Sequence, residues 1–171
     1  MTETLATAAA DETSGPGRFD PERDLGFSRV IRAPRDVVWR AWTDPRQLEQ
    51  WWLPAPSLCR VEALELRPGG AFTTLMSDDG EGFRPHVTGC ILDVRDHERI
   101  VFTTMLAGGW RPAADGFMTA VIEFVEHPDG TEYRARVLHK DRADRDMHDE
   151  AGFADGWGTV AAQLAALVER G

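Results

Sequence analysis

Five histidines, two cysteines and a single tyrosine are the side chains of this 171-residue chain best suited to move protons, hold a metal or act as nucleophiles. His97 and His127 lie beside turn residues and read as surface groups. His139 falls in step with Tyr133, Ala135 and Val137 on the apolar face of an alternating run, where a hydrogen-bonded structural histidine is the expectation. His86 follows Pro85 into another such run. Asp144 and His148 stand four apart on a helical segment, as do Asp141 and Arg145. A zinc or iron site needs three or four converging ligands, and no histidine, cysteine or carboxylate cluster elsewhere completes this pair. No metal is expected, and the charges read as a solvated helix face.

No serine, cysteine or lysine stands in a recognisable elbow with a base, and no glycine-rich loop leads from a strand into a helix at phosphate-binding spacing. Gly69-Gly70 and Gly108-Gly109 read as hairpin loops. Hydrolases, kinases and dehydrogenases of familiar type are disfavoured, and neither a cofactor nor a catalytic residue is legible. Cys59 and Cys90 lack metal-type spacing, and with no secretory apolar region and no long apolar run they read as reduced thiols in a cytoplasm. A disulfide between them would require neighbouring strands.

The elements that must position these residues follow from periodicity. Residues 1–23 hold only Leu5 and Phe19 as large apolar groups and read as a disordered tail; residues 24–171 read as one domain. A first strand begins near Leu25, with Phe27, Arg29 and Ile31 alternating with their neighbours. Ala33-Pro34 opens a helix with the apolar stripe Val37, Val38, Ala41 and Trp42, and a second short helix from Pro45 brings Leu48, Trp51 and Trp52 to one side. From Leu58 to Lys140, runs of period two separated by turn residues give a meander of about six strands. From about Ala143 to Arg170 the spacing of Phe153, Trp157, Val160, Leu164, Leu167 and Val168 predicts one long helix. Gly152, Gly156 and Gly158 fall inside it, either for close approach to the sheet or to leave room for a ligand.

The formal net charge is −10, whereas a nucleic-acid binder needs a basic stripe to displace counterions. Neither nucleic acid nor membrane is an expected partner. The six tryptophans fall in four places, Trp39 with Trp42, Trp51 with Trp52, Trp110, and Trp157, as core or cavity walls would.

The segments RVIRAPRDVVWRAWTDPRQLEQWW and HDEAGFADGWGTVAAQLAALV, with VTGCILDVRDHERIVFTTM and GGWRPAADGFMTAVIEF between them, carry a resemblance that covers about residues 25 to 170. In order and distance they resemble the START and pollen-allergen (SRPBCC) superfamily, in the branch named for activators of the ninety-kilodalton heat-shock-protein ATPase. The resemblance implies an α+β helix-grip fold. In it a curved antiparallel sheet of about seven strands wraps a long C-terminal helix, two short helices follow the first strand, and an apolar cavity lies between sheet and helix.

That implied cavity defines the candidate site. Trp52, Phe72, Met76, Phe102, Met118, Phe153 and Trp157 are the expected apolar walls, His86 is within reach, and Trp110 with Arg111 stands at the mouth as an anchor for a polar ligand group. The expected function is binding of a small, mostly apolar molecule. Two alternatives stay open. One is a cyclase or dehydratase acting on a polyketide-like substrate with His86, Tyr133 and His139 as proton-moving groups. The other is an interaction module for a chaperone ATPase.

Overall fold

The computed structural model describes residues 16–170. The expected tail falls for the most part outside the described residues. Its end is a turn in which Arg23 Nε donates to the Asp20 carboxylate at 2.8 Å, just ahead of the first strand.

Strand β1 (Asp24–Ile31) is followed by helices α1 (Arg35–Thr43) and α2 (Pro45–Leu48). Proline suits the first turn of α2, and Asp44 caps it by accepting from the Arg46 N–H at 2.9 Å. The chain then runs through β2 (Leu58–Leu64), β3 (Ala71–Ser77), β4 (Arg84–Arg95) and β5 (Arg99–Thr103), a short ribbon of β6 (Leu106–Ala107) and β7 (Arg111–Pro112), then β8 (Thr119–His127) and β9 (Gly130–Leu138). Seven strands form one antiparallel sheet in the order β1-β9-β8-β5-β4-β3-β2. Register shifts at Val61/Ala63, Thr74/Leu75 and Ile91/Asp93 break the ladder where a bulge bends a strand and increases its twist. The inward face of β9 reads Thr131, Tyr133, Ala135 and Val137, all buried, and the same step carries on to His139.

The expected single C-terminal helix is two: α3 (Arg142–Glu150) and α4 (Phe153–Val168). The break is at Gly152, whose φ of +99° is a left-handed conformation that glycine adopts without steric cost. Helix α3 buries none of its residues fully, whereas α4 packs Phe153, Ala161, Leu164, Ala165 and Val168 inward. Among the described residues no helix is long and apolar enough to cross a membrane. Cys59 on β2 and Cys90 on β4 are both free, and β3 separates their strands. Burial pushes the Cys59 thiol up to about 12, so it is held as an inert thiol.

The core is centred on tryptophan. Trp42 and Trp51 are fully buried with Phe72 and Phe102, and these rings meet at 4.9–6.1 Å in edge-on or tilted pairs. Each indole N–H finds an acceptor: Trp42 donates to the Tyr133 hydroxyl at 3.0 Å and Trp51 to the Ala41 carbonyl at 2.9 Å. A buried polar atom left without a partner costs about 1–3 kcal/mol, so these two bonds fix the ring orientations.

Candidate functional site

Between α4 and the sheet lies a cavity of about 370 Å³, within the size range of small-molecule sites. Trp52, Leu53 and Pro54 wall it from the loop after α2. Gln163 on α4 holds that loop: its amide donates to the carbonyls of Trp51 at 3.0 Å and Leu53 at 2.7 Å, while its oxygen accepts from the Ala55 N–H at 2.8 Å. Trp52 is thereby pinned against Trp42 and Phe72, and its own indole N–H is buried without a hydrogen-bond partner.

The far wall is Phe153, Gly156, Trp157 and Val160 of α4. Trp157 leans on Phe153 at 5.4 Å and meets Trp52 edge-on at 6.4 Å, which bridges the helix to the loop. A methyl group built on Gly156 or Gly158 would meet nothing within 4 Å. These glycines therefore leave space beside the helix and do not mark close approach to the sheet.

Polar groups enter from two sides. His86 on β4 places Nδ1 3.1 Å from Thr74 Oγ1, and its open surface faces this cavity and an adjoining one of about 720 Å³ under the loop before β8. That partly dehydrated concave position lowers its pKa. His148, on α3, lines the first cavity from the opposite side. Its Nδ1 is 2.9 Å from His139 Nε2, and His139 Nδ1 is 2.9 Å from the Arg23 carbonyl oxygen. Phe117 meets both imidazoles edge-on, and Phe153 meets His148 edge-on at 5.1 Å. Burial, then the neighbouring His139, brings the His148 pKa down to about 4.

Five of the ten expected ligand residues, Trp52, His86, Met118, Phe153 and Trp157, come together around the cavity. The other five do not line it. Phe72 and Phe102 are fully buried one layer deeper, packed on each other and behind Trp52. Met76 sits on β3 opposite Cys59 and Arg84, away from both cavities. Trp110, 52% exposed with φ of +62°, lies over the backbone of Gly69, and Arg111 beside it is exposed on β7. Neither lines either cavity. Tyr133, one of the proton-moving candidates, is enclosed in the core against Trp42, and burial pushes its phenol pKa upward. Among the described residues no group of three or more histidine, cysteine, aspartate or glutamate side chains is arranged to hold a metal.

Leu53, Pro54, Val87, Ala151 and above all His148 line the cavity without having been expected there. The only signal for His148 was its place four residues after Asp144, and that pointed to the solvated face.

The pattern of the family described as Activator of Hsp90 ATPase homolog 1-like protein matches residues 32–169. Among solved structures, a protein of Nitrosomonas europaea is similar at 40% identity and a TM-score of 0.81, with 89% of this chain and 97% of that one covered. A protein of Chromobacterium violaceum is similar at 26% identity and 0.65, covering 85% and 97%. An AHSA1-like protein of Aeromonas hydrophila shares the fold at 20% identity and 0.63, covering 86% and 92%. No curated protein matches.

Proposed function

From the premise that the chain belongs to the family of Activator of Hsp90 ATPase homolog 1-like proteins and has its helix-grip fold, we propose that it binds a small, mostly apolar molecule between α4 and the sheet. The observation that carries this reading is the cavity itself. Its walls are aromatic and aliphatic, and Gly156 leaves empty the space any other side chain would enter. Removing an apolar ligand from water contributes about 25 cal/mol for each Å² buried, so a cavity lined by Trp52, Met118, Phe153 and Trp157 favours occupancy by such a molecule over water.

Titration of the protein with a panel of apolar fluorescent dyes, read by quenching of tryptophan emission and by melting temperature, tests this directly. Trp52 and Trp157 line the cavity, so binding there must alter their emission, and a ligand that binds only the native state raises the melting temperature. If no dye in the panel moves either signal, the reading is wrong.

A further inference from the structure

The hydrogen-bond chain that ends at the cavity wall sets the polarity of the wall. The Arg23 carbonyl can only accept, so His139 Nδ1, 2.9 Å away, carries a proton. With its one proton on Nδ1, the His139 ring has a lone pair at Nε2. His148 Nδ1, 2.9 Å from that lone pair, must then be the donor. A neutral His148 with its proton on Nδ1 keeps Nε2 bare. Among the described residues Nε2 has no hydrogen-bond partner, and His148 is one of the residues that line the cavity.

We propose that the His139–His148 pair presents an imidazole lone pair to the cavity, and that the ligand is an apolar molecule bearing a phenolic or enolic hydroxyl that donates to His148 Nε2. This rests on the cavity being the ligand site. Every donor in the resulting chain points the same way, from ligand hydroxyl to His148, from His148 to His139, and from His139 to the Arg23 carbonyl, an arrangement in which each bond polarises the next. An ether or ketone of the same shape has no proton to give and leaves the lone pair unmatched. A carboxylate, which only accepts, meets a lone pair and is rejected. Phe117 and Phe153 pack against the His148 ring, so a ligand seated in the cavity displaces the water that otherwise satisfies Nε2 and must replace that bond itself.

The test compares α-naphthol with its methyl ether at neutral pH, titrated by tryptophan fluorescence against the wild-type chain and the His148→Phe variant. Phenylalanine keeps a ring beside Phe117 and Phe153, and it removes both the acceptor at the cavity and the donor to His139. The wild type is expected to bind the naphthol about tenfold more tightly than the ether, a typical worth for one hydrogen bond to a buried group. In His148→Phe the two probes should bind alike, at the affinity of the ether for the wild type. Equal affinity of the two probes for the wild type overturns the proposal and leaves the apolar cavity standing; failure of both to bind overturns both. Imidazole nitrogen NMR of the wild-type protein gives a check that needs no variant. Both rings should carry their proton on Nδ1, and a His148 protonated on Nε2 would refute the proposal.

Discussion

Trp42 donates its indole N–H to the hydroxyl of Tyr133 across 3.0 Å, inside the core, and so joins α1 to β9 through one buried bond. Tyr133→Phe removes the acceptor and leaves the indole N–H unpaired where water does not reach. The expected cost is about 1–3 kcal/mol, that of an unsatisfied buried donor. Urea denaturation checks it, with an unchanged slope showing that only stability has moved. A loss below about 0.5 kcal/mol, the range of a neutral surface change, would mean the bond contributes little.

Trp157 is half-buried, touching Phe153 on one side and Trp52 on the other with the cavity between. A fully packed aromatic costs about 3–5 kcal/mol when cut to alanine, and a side chain with part of its surface facing a void has fewer contacts to lose. Trp157→Ala is therefore expected to cost about 2–3 kcal/mol, to unfold cooperatively and to lose dye binding. Normal dye binding by this variant would remove Trp157 from the site.

The lowered pKa of His148 makes stability depend on pH. The imidazole titrates near 6.5 in the unfolded chain and near 4 in the native one, so between those values the unfolded state holds a proton that the native state does not. Stability from this group is complete above about pH 6.5 and is lost as the pH falls toward 4; His86 shifts in the same direction. Water reaches part of the His148 ring, which discounts the effect to roughly 1 kcal/mol, or about 2–4 °C in melting temperature. Scanning calorimetry across this window should show the decline in the wild type and a shallower one in His148→Phe. An unchanged slope in the variant would assign the effect elsewhere.

The fold was legible because its patterns are local. Tyr133, Ala135 and Val137 alternate in sequence and face inward together on β9, and Asp44-Pro45 marks the junction of α1 and α2. Period two assigns a face but not a depth. Phe72 and Phe102 point inward as expected, yet Trp52 stands between them and the cavity, and only the packed structure decides which ring is outermost. The meeting of His139 with His148 was not legible at all. It depends on the turn at Asp141 that folds α3 back, where the Asp141 side chain accepts from the Asp144 N–H at 2.9 Å, and on Gly152, whose left-handed φ separates α3 from α4. A continuous helical period hides both.

Gly156 and Gly158 separate the needs of the helix from those of the site. Both lie in α4, and an added methyl at either meets open space, so alanine at each position should stabilise the protein by about 1 kcal/mol through helix propensity alone. Only Gly156 lines the cavity. Gly156→Leu adds a branched side chain to the cavity wall, into the open space beside the glycine, without charge or strain at the backbone. Dye affinity should fall at least about tenfold in Gly156→Leu, a loss of about 1.4 kcal/mol of binding, while the melting temperature stays at or above that of the wild type. Gly158→Leu, on the same helix and with no place in the cavity wall, serves as the comparison and should bind dye normally. Loss of binding in both variants, or in neither, would show that the space beside Gly156 is not where the ligand sits.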